Sequence, residues 1–278
     1  MGDIVLFLAA PTVMCFVLAG IHCYLGLHVL ARGVIFVDLS LAQVAAFGAT
    51  LALLFGFEHG TSQAYFFSLA STFLAASLFA LARKRERYFS QEAIIGIVYA
   101  FGSAAVVLVV DRMAHGAEHI KELLIGQILW VTWPEVLKTT LIYSAVGLVH
   151  YIFRRQLLNA SFKGAGSVKA IWDFLFYALF GVVITSSVSI VGVLQVFSYL
   201  IVPSIVSTLF FKTIKARLLF GWALGIVLSV IGMGLSYVWD YPSGAFIVVL
   251  FTLIPILLLL FSPVIKFRYE AGDAHQAP

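Results

Sequence analysis

One carboxylate lies inside an apolar run. It is Asp38, in Gly33-Val34-Ile35-Phe36-Val37-Asp38-Leu39-Ser40-Leu41-Ala42-Gln43. Within a membrane span a carboxylate costs about 2.5–3.5 kcal/mol, so it usually faces a cavity or a partner. A negative oxygen pair in such a place suits the passage of a cation. The other reading is an aspartate near the interface that caps its helix or pairs with Arg32, and these residues alone do not separate the two. Gln43 offers a neutral oxygen. Five positions on from Asp38, it falls about 140° around an ideal helix, so one face holds both only if the helix breaks near Ser40.

Other polar residues carry weaker signals. Asp240, in Ser236-Tyr237-Val238-Trp239-Asp240-Tyr241-Pro242-Ser243-Gly244, reads first as an exposed turn aspartate and second as part of an ion gate. His22 and His28 share one apolar segment but lie about 240° apart around it, so each reads as a hydrogen-bonded interior histidine. His115 and His119 have the i, i+4 spacing that can chelate a divalent ion, with Glu118 between them. No third ligand stands at fixed spacing, and a solvated amphipathic face is the plainer alternative. Cys15 and Cys23 are separated by about 12 Å along one helix, too far for a disulfide.

The elements that must position these residues are spans. The chain is 62% hydrophobic and 11% charged over 278 residues, and apolar stretches of the roughly 20 residues that a crossing helix needs follow one another. Nine stand out: Ile4–Leu30, Val34–Phe57, Ala64–Ala82, Ala93–Val110, Val136–Phe153, Ala170–Val188, Ile190–Phe211, Leu218–Val238 and Ala245–Phe261. The expected fold is therefore all-α, a polytopic transmembrane bundle of eight or nine spans over residues 1–265, with a short cytoplasmic tail at 266–278. The first segment lacks the basic start of a secretory signal and is expected to stay as a span. Ser186-Ser187-Val188-Ser189 is the weakest break between segments.

Charge orients the bundle. With the N-terminus outside and nine alternating spans, all but three of the 17 lysines and arginines fall on the inner side. The exceptions are Arg112, Lys121 and Lys138. This asymmetry predicts a cytoplasmic C-terminus. The basic residues sit in loop clusters, so the net charge of +4 argues for topology and not for nucleic acid. Asp111–Pro134 reads as an amphipathic outer stretch with Trp130 and Trp133 at headgroup level. No nucleotide-binding loop, nucleophile elbow or zinc-protease motif occurs, so the chain is not expected to be an enzyme or to hydrolyse ATP, and no bound cofactor is expected.

Three stretches resemble the permease subunits of ABC importers for zinc, manganese and iron. The first runs from His22-Cys-Tyr-Leu-Gly-Leu-His28 through Arg32 to Gly48. The second is Val191-Gly-Val-Leu-Gln-Val-Phe-Ser-Tyr-Leu-Ile-Val-Pro203-Ser-Ile-Val-Ser207. The third is Gly234 to Gly244, and Gln91-Glu92-Ala-Ile-Ile-Gly96 is a weaker match. The resemblance implies a homodimeric permease in the bacterial inner membrane, clasped by cytoplasmic ATPase subunits and fed by an extracytoplasmic metal-binding protein. It implies a coupling element around Pro203–Arg217, including Ser207, Lys212 and Lys215. Pro203 is expected to break the helix there; the alternative is an ordinary kinked span with a basic end.

Read through this resemblance, a divalent metal ion is the cargo. It passes a shallow gate near Asp38 and Asp240 with Gln43 and His22, while ATP hydrolysis in the partner drives alternating access. One departure stands out. Many zinc and manganese permeases carry a Ser-His pair where Ala42-Gln43 stands here, and Asp38 is one position out of step. A glutamine oxygen is a harder ligand than imidazole, which keeps a metal chelate or another small solute open as the substrate. An ion-coupled secondary transporter would be expected to show more buried carboxylates and repeat halves, which the sequence does not offer.

Overall fold

Backbone amides have no partner in hydrocarbon, so apolar segments must satisfy them internally, and helices do so. The computed structural model describes residues 2–58, 61–111, 113, 116–162 and 169–261, all helix and connection with no strand among them. The elements are α1 (Gly2–Arg32), α2 (Val37–Leu54), α3 (Ser62–Lys84), α4 (Gln91–Val110), α5 (Gly116–Ile125), a 3₁₀ turn (Ile128–Trp130), α6 (Trp133–Ile152), α7 (Arg154–Phe162), α8 (Ala170–Phe210), α9 (Ile214–Trp239) and α10 (Ser243–Leu260). Seven are long and apolar enough to cross a bilayer, and the pair α6–α7, bent by 82°, supplies an eighth candidate. The amphipathic stretch expected after Asp111 contains α5, with Trp130 and Trp133 exposed. The expected tail at 266–278 and His115 lie outside the described residues, as does the side chain of His119.

Two expectations about α8 are corrected. The expected break at Ser186–Ser189 is absent: the Ser186 and Ser187 hydroxyls donate to the Val183 carbonyl at 3.0 and 2.6 Å, which satisfies them within a continuous helix. The interruption falls at Gly192 (φ 75°, ψ 167°). A 41-residue helix would be about 61 Å long, twice the roughly 30 Å of a hydrocarbon core, so each half has the length of one crossing. Pro203 does not break the helix, which continues to Phe210. Its ring lies where Gly221 and Gly225 of α9 leave space, 3.5 and 4.0 Å from where their Cβ atoms would be. Close neighbours of this kind let spans tolerate proline.

The chain forms two compact units. One comprises residues 1–31, 127–141 and 194–278. In it Gly26 of α1 meets α8 so closely that a Cβ would lie 2.1 Å from the Leu200 carbonyl oxygen. The Ser204 hydroxyl donates to the Cys23 carbonyl (3.2 Å), and the Trp222 indole N–H to the Gly20 carbonyl (2.9 Å). Cys15 and Cys23 are free and buried. The second unit comprises residues 32–126 and 142–193. Here α2 packs on α3 and α4, with Gly48 against the Phe67 carbonyl. Hydroxyl pairs, Thr72 with Thr185 (2.8 Å) and Tyr143 with Ser187 (2.6 Å), cross between helices, the polar glue of a bundle in lipid.

Candidate functional site

In the second unit, the start of α2 sits beside a buried ionic cluster. Arg32 donates to Asp173 Oδ1 at 2.8 Å and to the Ser161 hydroxyl at 2.9 Å, and its guanidinium lies 4.0 Å above the Phe176 ring centroid. Arg83 reaches the same Asp173 oxygen at 3.3 Å and donates to the Ala160 carbonyl at 2.7 Å. The end of α1, the last turns of α3 and α7, and the first turn of α8 are thus tied by charge-assisted bonds. Next to this cluster Gln91 opens α4, donating to the Phe79 carbonyl (3.1 Å) and the Tyr177 hydroxyl (2.7 Å).

Asp38 is in the first turn of α2 and is 1% exposed. The suggested pairing with Arg32 is absent, because Arg32 is committed to Asp173. Nor does Asp38 occupy the capping position, which belongs to Phe36 and has no side-chain cap. Its carboxylate lies over the first-turn amides of Asp38 and Leu39, yet neither oxygen makes a well-directed hydrogen bond. Helix α2 runs unbroken through Ser40, so Gln43 does not share the Asp38 face. Half-buried, Gln43 packs against α4, its Cβ 3.2 Å from the Cβ position of Gly102.

The remaining candidates belong to the first unit. His22 is buried, its Nδ1–H donating to the Leu18 carbonyl at 2.8 Å. His28 is buried edge-on to Tyr24, with ring centroids 4.8 Å apart. Asp240 is the exposed C-terminal cap of α9 in the left-handed region (φ 56°, ψ 40°). Its turn is closed by the Ser236 hydroxyl on the Tyr241 carbonyl at 2.7 Å. The suggested coupling element resolves into the end of α8, a three-residue turn and the start of α9. Ser207 is buried and donates to the Ser204 carbonyl (2.9 Å). The turn holds exposed Lys212, Thr213 accepts from the Ala216 amide, and the Arg217 guanidinium donates to the Phe211 carbonyl at 2.8 Å. Lys215 is exposed on the first turn of α9.

Sequence reasoning did not single out Asp173, read Arg83 only as one of the basic loop charges, and took Gln91 only as the start of a weaker family match. Asp173 carried the same signal as Asp38, a carboxylate within an expected span, but its place near Lys169 disguised it as a loop charge. Among the described residues, no group of three or more His, Cys, Asp or Glu is placed to hold one ion.

These features define a polytopic helical membrane protein whose ionisable groups are concentrated at helix ends. The chain belongs to the ABC 3 transport family, which it matches over residues 5–262. It is 25% identical to the "Manganese import system permease protein ScaB" of Streptococcus gordonii, across 95% of this chain and 93% of that one. It is 27% identical to a Haemophilus influenzae protein named "Probable iron transport system membrane protein", across 65% and 68%. Among solved structures, PsaBC from Streptococcus pneumoniae in complex with Fab superposes with a TM-score of 0.73 at 21% identity, covering 92% of this chain and 91% of that chain, a likeness of fold.

Proposed function

We infer that the chain is the membrane permease subunit of an ABC importer for a divalent transition metal ion, zinc, manganese or iron. It would work in the bacterial inner membrane with a cytoplasmic C-terminus. In this reading two copies pair, cytoplasmic ATPase subunits dock on the turn between α8 and α9, and an extracytoplasmic binding protein delivers the ion. The observation that carries the reading is the family match over residues 5–262. The relatives named for manganese and iron support a metal as cargo. Asp38, buried without a protein counter-ion, supports a cation path through α2. Gln43 adds a neutral oxygen further along that helix. His22 and Asp240 are further candidate contacts for the ion.

A transit site must release what it takes, so sparse ligation suits a permease better than a closed cage. Alternating access then follows from ATP-driven rocking passed through Lys212, Lys215 and Arg217. Replacing Asp38 by Ala is expected to abolish metal uptake while leaving co-purification with the ATPase intact; normal uptake in that variant would remove Asp38 from the path.

A further inference from the structure

At one end of the second unit the ends of α3 and α7 and the start of α8 form a basic junction. Arg83, in the last turn of α3, donates to the Ala160 carbonyl of α7 at 2.7 Å, and Arg32 donates to the neighbouring Ser161 hydroxyl at 2.9 Å. Both guanidiniums share the Asp173 carboxylate of α8. Phe153, at the bend between α6 and α7, packs on Trp172 of α8 with ring centroids 5.3 Å apart. Exposed cations surround the junction: Lys84, Arg85 and Arg87 after α3, Arg154 and Arg155 opening α7, and Lys169 before α8. Glu86 is the exposed acid between them. Beneath, two buried cations share one acid, and the buried Arg32 Nη2 has no hydrogen-bond partner. Positive charge is therefore in surplus both on the surface of the junction and below it.

Apolar helix faces run straight into this surplus. On α3, Leu74, Leu78 and Leu81 are 70%, 50% and 46% exposed. Their i, i+4, i+7 spacing makes one face, and Arg85 is the next position on it. On α6, Leu148 and Ile152 are exposed four residues apart, and Arg155 follows. Such a face on a spanning helix meets acyl chains, so the cations at its end stand at headgroup depth. Tyr88 and Tyr151 are exposed among them, and rings with a polar tip suit that layer. The Arg154 guanidinium lies 4.7 Å over the Tyr151 ring and donates to the Tyr151 carbonyl at 3.3 Å, which holds it at the bend. Because α7 turns 82° from α6, it runs across the end of that span, with Leu157 and Ala160 buried and Arg154 and Arg155 exposed. An acidic protein surface would match the cations but not the leucine faces that lead to them. A lipid with an anionic headgroup matches both.

We propose that this junction binds an anionic phospholipid, with acyl chains along Leu74, Leu78 and Leu81 and the headgroup phosphate held by Arg85, Arg87, Arg154 and Arg155. Each cation near a headgroup layer strengthens such binding about five-fold. The bound lipid bridges the ends of α3 and α7, so it also steadies the second unit. The site uses no residue assigned to the ion path or to the α8–α9 turn, and it stands whether or not the importer reading does.

The test is native mass spectrometry of the full-length chain in detergent, titrated with phosphatidylglycerol, cardiolipin or phosphatidylcholine, with inorganic phosphate as competitor. The variants are Arg85→Gln/Arg87→Gln and Arg154→Gln/Arg155→Gln, with Lys212→Gln/Lys215→Gln on the α8–α9 turn as control. Thermal melts without lipid check folding. The wild type is expected to retain the two anionic lipids in preference to phosphatidylcholine and to melt higher with them. Each arginine double variant is expected to bind them at least about ten-fold more weakly, and the lysine control to bind as the wild type does. Equal retention of phosphatidylcholine, or wild-type binding in either arginine variant, overturns the proposal. Displacement of the lipid by millimolar inorganic phosphate makes the site one for a free anion and also overturns it. If one arginine variant does not fold, the other decides alone. Arginine variants that lose ATPase co-purification but keep the lipid assign the junction to the ATPase and overturn the lipid site.

Discussion

At the scale of single residues, charge placement is the informative variable. Asp173 holds two buried guanidiniums. Removing the acidic partner of a buried ion pair leaves uncompensated charge and costs about 3–5 kcal/mol. Asp173→Asn is therefore expected to lower the melting temperature in detergent clearly, whereas Asp240→Asn, at an exposed cap, is expected to leave it within a degree or two. Asp38 was legible from the sequence because a lone carboxylate interrupts an apolar run. Its isolation from Arg32 was not, because the competing partner, Asp173, stands 141 positions from Arg32 along the chain. Arg32 and Arg83 were read as loop charges that report topology, and the structure shows that they are also buried structural groups.

At the scale of elements, small residues decide where helices meet. Gly26→Ala would set a Cβ 2.1 Å from the Leu200 carbonyl oxygen, whereas a Cβ at Gly20 meets nothing within 4 Å. Gly26→Ala is expected to destabilise the fold, and Gly20→Ala to be neutral or slightly stabilising, as a better helix former. Parallel thermal melts would show this. Gly192→Ala is expected to be costly for two reasons: its φ of 75° disfavours a side chain, and the Gly126 amide nitrogen lies 2.4 Å from the Cβ position. Outside α8, the apolar segments were readable to within four residues at each end, as with Leu218–Val238 against the observed Ile214–Trp239, since hydrocarbon-length runs leave little freedom. The interruption of α8 was not. Serines suggested a break, but their hydroxyls bond back to the helix, and the true break depends on a distant loop glycine. Pro203 misled in the same way, since the room made by Gly221 and Gly225 belongs to another helix.

At the scale of the whole molecule, the family match over residues 5–262 carries the functional reading. The proposal that ATPase subunits dock on the α8–α9 turn predicts that Lys212→Glu/Lys215→Glu lowers ATPase co-purification without changing the melting temperature; both side chains are exposed. The most direct measurement of the central claim is ion uptake by proteoliposomes that contain this chain and its ATPase. Manganese, zinc and iron would be offered in parallel, with an ATPase-dead complex as control. The account predicts uptake of one of these ions that requires ATP hydrolysis and is lost in Asp38→Ala. No uptake of any bare ion by a demonstrably assembled complex, or equal uptake by the ATPase-dead control, would contradict it.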